Sequence, residues 1–319
     1  MISASLQSQG YLPVATATLF PATEINCDLF VQHSNQNLEL YRQGSYPLSK
    51  EDLRRLAMAG VDHLYIRCAD AEFYRKYLCE RVLNETTTPA PVRLSALREV
   101  TRVAFQEALE SNDPNHAVDI ATDLGRGMAT MIADQAVKLE EVYDLLEHDY
   151  YTFTHVCNVS TYCVILAREL GLGDMGVLAQ VATGALLHDI GKRHVPKEVL
   201  NKKDKPTEEE WKIIRSHPGS GYQELCHRAD LIWPQLMMVY QHHERLDGSG
   251  YPTGALGGDI HKWAKLCAVV DVFDALTCSR PYREPVPPDE VCKYLKENAG
   301  KWFDAEMVNC WTAQVERLG

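Results

Sequence analysis

The chain has 319 residues, 45% hydrophobic and 24% charged, an ordinary globular composition that suffices for about two domains. Its formal charge of −12 disfavours non-specific nucleic-acid binding, which needs a basic surface, but leaves room for a small anionic ligand beside local cations. No run approaches the roughly 20 apolar residues of a membrane span, residues 1–20 lack the order of a secretory leader, and the 10 scattered Cys read as reduced thiols, so the expected location is the cytoplasm.

In chain order, residues 1–22 carry no clear pattern and are expected to form an extended arm. Two β-rich stretches follow, Ile25 to His33 and Asn37 to Gln43, and Gly44-Ser45-Tyr46-Pro47 reads as a turn. Ser49 is suited to cap a helix from Lys50 to Met58 that ends at Gly60. Asp62 to Arg67 reads as an alternating strand, and a helix is expected from Asp70 to Leu83. These elements make a small N-terminal α+β domain over residues 1–90, closed by a Thr- and Pro-rich linker from Asn84 to Pro91. His33 and His63 have no ligand partners at useful spacing, so this domain reads as regulatory or dimer-forming.

Residues 91–134 are expected to be a helical linker, with Val100, Val103, Ala104 and Ala108 on one face. A long helix is expected from Ala117 to Leu146, and residues 135–319 read as helices joined by polar loops. The fold class is therefore mainly α: an all-helical C-terminal bundle behind a small α+β domain.

Three segments of the C-terminal part carry chemistry. The first is His188-Asp189-Ile190-Gly191-Lys192, placed by the apolar run Val181 to Leu187 at the end of a buried helix. Adjacent helical residues point about 100° apart, so both side chains can reach metal near the helix end by different faces. A carboxylate can bridge two cations, and Lys192 follows where a cation can meet a phosphate. The second runs from Gln241 to Pro252; His242 and His243 can feed two neighbouring metals, one each, and Gly248-Ser249-Gly250-Tyr251-Pro252 must turn tightly. The third holds Asp271 and Asp274 on one helical face, then Arg280 and Arg283, whose guanidinium groups suit bidentate phosphate binding. His155 and His217 complete the set. Imidazole and carboxylate together suit iron, manganese or zinc, and the lack of Cys pairs disfavours a structural zinc. Each segment alone is compatible with ordinary packing or a solvated helix end; their joint occurrence in this order is not.

His188-Asp189-Ile190-Gly191-Lys192, followed by His242-His243-Glu244 and by Asp247-Gly248-x-Gly250-Tyr251-Pro252, resembles the HD-GYP family of HD-domain phosphohydrolases. Pro206-Thr207-x-Glu209-x-Trp211, His217-Pro218-x-x-Gly221 and the stretch from Asp271 to Arg283 agree, so the likeness covers residues 135–319. It implies an HD-type helical bundle that hydrolyses cyclic di-GMP to pGpG or GMP, through a hydroxide held between metal ions. It implies the ligands His155, His188, Asp189, His217, His242, His243 and Asp271, with Asp189 bridging and acting with Lys192 in catalysis. Lys192, Arg280 and Arg283 are implied phosphate holders. Asp274 is grouped with these substrate contacts, with the orientation of a ligand as its alternative role, shared with Glu244. Trinuclear members carry a Glu four residues before the first His; Tyr151 stands there, and a tyrosine ligates only as phenolate, so two divalent ions are expected. Iron is the first choice, then manganese, with zinc or nickel as further options. The Gly250-Tyr251-Pro252 loop is implicated in contact with diguanylate cyclases, and a homodimer is compatible with the pattern. Two alternatives stand: a cyclic di-GMP or partner-binding module without turnover, and hydrolysis of another cyclic dinucleotide such as cyclic GMP-AMP.

Overall fold

The computed structural model describes residues 10–32, 37–78, 92–93, 96–97, 99–101, 114–134, 139, 143, 152–200, 202, 204–278 and 284–318. The chain divides into two compact units, Met1–Glu107 and Ala108–Gly319, a division within the stretch expected to be helical linker. The linker Asn84–Pro91, Tyr151, Arg280 and Arg283 lie outside the described residues.

The first unit holds strands β1 (Tyr11–Ala15), β2 (Leu29–Gln32) and β3 (Leu38–Arg42), helix α1 (Lys50–Met58), strand β4 (His63–Arg67) and helix α2 (Ala71–Leu78). The sheet order is β1-β4-β2-β3, with every pairing antiparallel. Residues 1–22 are therefore not only an arm, because Tyr11–Ala15 pairs in register with β4. Pro13 sits in that strand, and proline is tolerated there because β1 is an edge. β4 is central, and Leu64, Tyr65 and Ile66 are all buried instead of alternating, as expected of a strand covered on both faces. Helix α1 has the bounds read from the sequence: Ser49 accepts from the Asp52 amide at 3.1 Å, and the Asp52 carboxylate accepts from the Ser49 amide at 2.9 Å.

The second unit is helical: α3 (Pro114–Asp134), α4 (Thr152–Glu169), α5 (Met175–Leu187), α6 (Lys197–Leu200), α7 (Glu208–Arg215), α8 (His217–Leu225), α9 (Trp233–Gln241), α10 (Lys262–Thr277), α11 (Pro288–Glu297) and α12 (Ala305–Val315). Helix α5 is buried continuously from Val181 to Leu187, because α3, α4 and α9 all pack on it. Helix α10 packs on α4, α9 and α12, and the Trp311 ring lies 5.0 Å from Tyr162 and 5.1 Å from Phe273. That aromatic core fixes α10 against α4, and so sets Asp271 and Asp274 beside His155. No helix among the described residues is long and apolar enough to cross a membrane.

Candidate metal centre

His188 caps the C-terminal end of α5, and the chain then leaves the helix through a tight turn from Ile190 to His194. Gly191 lets this turn lie against the start of α8. A Cβ there would stand 2.0 Å from the His217 carbonyl oxygen and 2.6 Å from the Gly221 amide nitrogen. The close approach is what brings His217 to Asp189.

Seven side chains come together in two groups. One holds Asp189, His217, His242 and His243; the other holds His155, His188 and Asp271. All but His243 are buried. His242 and His243 share a group, with ring centroids 4.1 Å apart, where one imidazole to each metal was expected. His243 still looks toward the other group, its Nδ1 being 3.8 Å from Asp271 Oδ2.

Asp189 faces both groups. Its Oδ1 lies 3.2 Å from His217 Nε2 and 3.8 Å from His242 Nε2, and its Oδ2 lies 3.6 Å from His155 Nε2 and 3.4 Å from His188 Nε2. Lys192 donates to that Oδ2 at 2.5 Å. Asp271 Oδ1 lies 3.1 Å from His155 Nε2.

The tautomers follow from what the outer nitrogens touch. Nδ1 of His188 faces the Ala185 carbonyl at 2.6 Å, that of His217 the Ile214 carbonyl at 2.7 Å, and that of His242 the Met238 carbonyl at 3.0 Å. A carbonyl only accepts, so each Nδ1 carries the proton, and Nε2 is the nitrogen left facing inward to serve a cation. His155 is turned the same way by a carboxylate: its Nδ1 meets Asp274 Oδ2 at 2.7 Å, and Asp274 Oδ1 accepts from Asn158 at 2.9 Å. Asp274 is fully buried with both oxygens engaged. Asn158 was not singled out from sequence; its trace there is the His155-x-x-Asn158 spacing, one helical turn on α4.

Electrostatics favour a cation. Burial pushes the His243 imidazole down to about 3 and holds His242 well below its ordinary value, so both are neutral at pH 7. Burial works to raise Asp189, but the Lys192 ammonium beside it outweighs burial and keeps the carboxyl well below the usual range. Asp271, its Oδ1 3.1 Å from His155 Nε2, is likewise held below the usual carboxylate range against its burial, and stays ionised. His188 Nε2 and Asp189 Oδ1 are buried without a hydrogen-bond partner, an arrangement that costs free energy unless a ligand completes it. Imidazoles and ionised carboxylates converging on two points fit divalent ions of intermediate hardness.

The turn after His243 frames the centre. Glu244 does not reach a ligand; its carboxylate accepts from the Thr253 amide at 2.8 Å, the Thr253 hydroxyl at 2.7 Å and the Ala255 amide at 3.0 Å. Gly250 passes so near that a Cβ would lie 2.4 Å from the Arg245 amide nitrogen. The loop so closed sets the Tyr251 ring 4.7 Å from that of His243 and 6.4 Å from that of His217.

Comparisons with known proteins agree with this geometry. The HD domain family matches residues 131–307, more than half the chain. A Pseudomonas aeruginosa protein, cyclic di-GMP phosphodiesterase PA4108, is 28% identical over 92% of this chain and 76% of its own length. The Vibrio cholerae 3'3'-cGAMP-specific phosphodiesterase 1 is 40% identical over 46% of this chain, which spans only 33% of that relative. Among solved structures, Bd1817, an HDG"Y"P protein from Bdellovibrio bacteriovorus, shares the fold with a TM-score of 0.68 over 96% of this chain and 99% of its own, at 23% identity. With its His188-Asp189 pair, its paired His242 and His243 and its Gly250-Tyr251-Pro252 loop built into one helical centre, the chain belongs to the HD-domain family, in its HD-GYP group.

Proposed function

We propose that the chain is a metal-dependent phosphodiesterase that hydrolyses cyclic di-GMP to pGpG, to GMP or to both in turn. The observation that carries this reading is Asp189, whose two oxygens face two separate donor groups. The Pseudomonas aeruginosa relative supports the substrate, since its likeness extends over 92% of this chain and so into both units.

His217, His242, His243 and Asp189 would hold one divalent ion; His155, His188, Asp271 and the other oxygen of Asp189 would hold a second. Iron is the first choice and manganese the next, an order that rests on the family resemblance, the donor set itself also accepting zinc or nickel. Such ions supply the Lewis acidity and the acidified water that phosphodiester hydrolysis requires. The chain's own groups do the remaining work. The Ala185, Ile214 and Met238 carbonyls fix which imidazole nitrogen points inward. Asp274 positions His155, and its full burial replaces the substrate contact expected from sequence. Lys192, partly exposed beside Asp189, is the cation set to meet charge developing on the phosphoryl oxygens. Arg280 and Arg283 remain assigned to the substrate's phosphates on the strength of sequence alone. A cytoplasmic location, and contact with cyclase domains through the Tyr251 loop, belong to the same reading.

Hydrolysis of 3'3'-cGAMP is the second reading, favoured by the 40% identical Vibrio cholerae relative. Anaerobically purified protein, its metal content measured by elemental analysis, should be assayed with both dinucleotides side by side. Turnover of cyclic di-GMP well above cGAMP is the expected result, and the reverse preference selects the second reading. Tight binding of both with no product under reducing conditions makes the chain a binding module.

A further inference from the structure

Arg215 is the last residue of α7, two residues before His217. Its guanidinium carbon lies 5.6 Å from the centre of the Trp211 ring and 5.7 Å from that of Tyr251. Tyr251 in turn packs on His243, so the guanidinium stands one ring away from the metal centre. Both rings lie at distances where cation–π attraction operates. Arg215 is exposed, and among the described residues its side chain makes no hydrogen bond and no ion pair. Arg193, near the same centre, is by contrast consumed by Glu224 at 2.8 Å. An arginine steadied by two aromatic rings, with its donors unspent, loses little freedom when it binds a bidentate acceptor. Trp211, 38% exposed at the same rim, offers a flat apolar surface of the kind on which a base stacks.

We propose that Arg215 and Trp211 form a rim subsite for the half of a cyclic dinucleotide that is not being cleaved, Arg215 taking its phosphate and Trp211 its base. A cyclic dinucleotide carries two phosphodiesters on opposite sides of one ring. When one lies at the metal centre the other must project from it, and the subsite proposed for it is Arg215, held at the rim by Tyr251. The inference rests on the substrate class proposed above and adds a specificity determinant to it.

The test uses the metal-loaded full chain. Arg215→Ala should raise KM for cyclic di-GMP about tenfold, the effect of losing one charge-assisted hydrogen-bonded pair, while kcat stays within about twofold. Arg215→Lys, which keeps charge without the planar fork, should fall between. The affinity for an uncleaved phosphorothioate analogue of cyclic di-GMP, measured by calorimetry, should drop in the same ratio as KM rises. Bis(p-nitrophenyl) phosphate, a diester with no second phosphate, should lose far less in kcat/KM. An Arg215→Ala variant with KM and analogue affinity unchanged overturns the subsite. So does an equal loss on both substrates through kcat, which marks Arg215 as support for Tyr251 and no more. A wild-type chain that neither binds nor cleaves cyclic di-GMP overturns the substrate assignment itself, and this inference with it.

Discussion

The two units bury different kinds of polar group. In the sheet unit the buried hydroxyls are paired: Thr18 bonds the Ala15 carbonyl and the Tyr74 hydroxyl, both at 2.7 Å, and Thr101 bonds the Leu97 carbonyl at 2.8 Å, while the partnerless buried atoms, Arg42 Nε and Arg75 Nε, belong to scattered arginines. In the helical unit His155, His188, Asp189, His217, His242 and Asp271 are buried facing one another, and two of their atoms bond nothing. Burying ionised carboxylates among imidazoles is expensive. It persists where the surrounding core is strong enough to impose it and where a ligand recovers the cost. The aromatic core of Tyr162, Phe273 and Trp311 is that scaffold. One unit's sequence serves its fold; the other's spends stability on a site.

The sharpest way to break this contrast is Asp189→Ala. Each carboxylate oxygen faces one donor group, so both ions should be lost together. Turnover should fall by more than the ~10–100-fold typical of removing an outer partner. Elemental analysis decides: retention of both metals with activity intact refutes the bridging role.

Gly191→Ala keeps every ligand and attacks only their spacing. The added Cβ meets backbone on both sides, His217 and Gly221, and neither can rotate away. Overpacking of this kind costs about 1–3 kcal/mol, or roughly 3–10 °C in Tm. Misplacing His217 by about an ångström should cost on the order of a hundredfold in turnover. Unchanged melting and metal affinity would show that the turn and α8 are not in the tight contact described.

Asp274→Asn tests whether ligand orientation matters separately from ligand identity. The amide fills the same space but can turn an N–H toward His155 Nδ1 and leaves that imidazole without its anionic partner. The expected loss is about 10–100-fold in metal affinity, with KM for substrate nearly constant. A rise in KM alone would return Asp274 to the substrate-contacting set.

How much of this was legible in the sequence follows from how local each feature is. The bounds of α1 are written in Ser49 and Asp52, three residues apart. The seven candidate ligands, implied by the family resemblance, are chemically distinctive and fall in short segments, and the structure brings all seven side chains together. Strand β1 could not be seen, because Tyr11–Ala15 is short, holds Pro13 and finds its partner some fifty residues later in β4. The bond between His155 and Asp274 spans 119 residues. Arg215 and Tyr251 meet only after α7 and the loop are folded, and neither residue type announces the other. Chemistry carried by residue identity survives in one dimension; pairing between distant, common side chains does not.

The smallest predicted effect probes the sheet unit's side of the contrast. The Asp52 carboxyl is held below its ordinary value, first by the Ser49 backbone amide and then by the Ser49 hydroxyl, with Arg42 adding at 2.7 Å. A carboxylate whose folded pKa is depressed adds stability above its unfolded value of about 4, and that contribution fades as pH falls through the folded pKa. Ser49→Ala removes the side-chain half of the capping box and should cost about 1 kcal/mol. The place to read it is the α1 amides of the full chain by hydrogen exchange, where protection should drop about fivefold near pH 7. The gap should narrow as pH falls below about 4, because protonated Asp52 no longer distinguishes the two proteins as strongly. Metal content and turnover should not move. If they do, α1 is tied to the centre and the two units do not divide fold from function as the burial pattern implies.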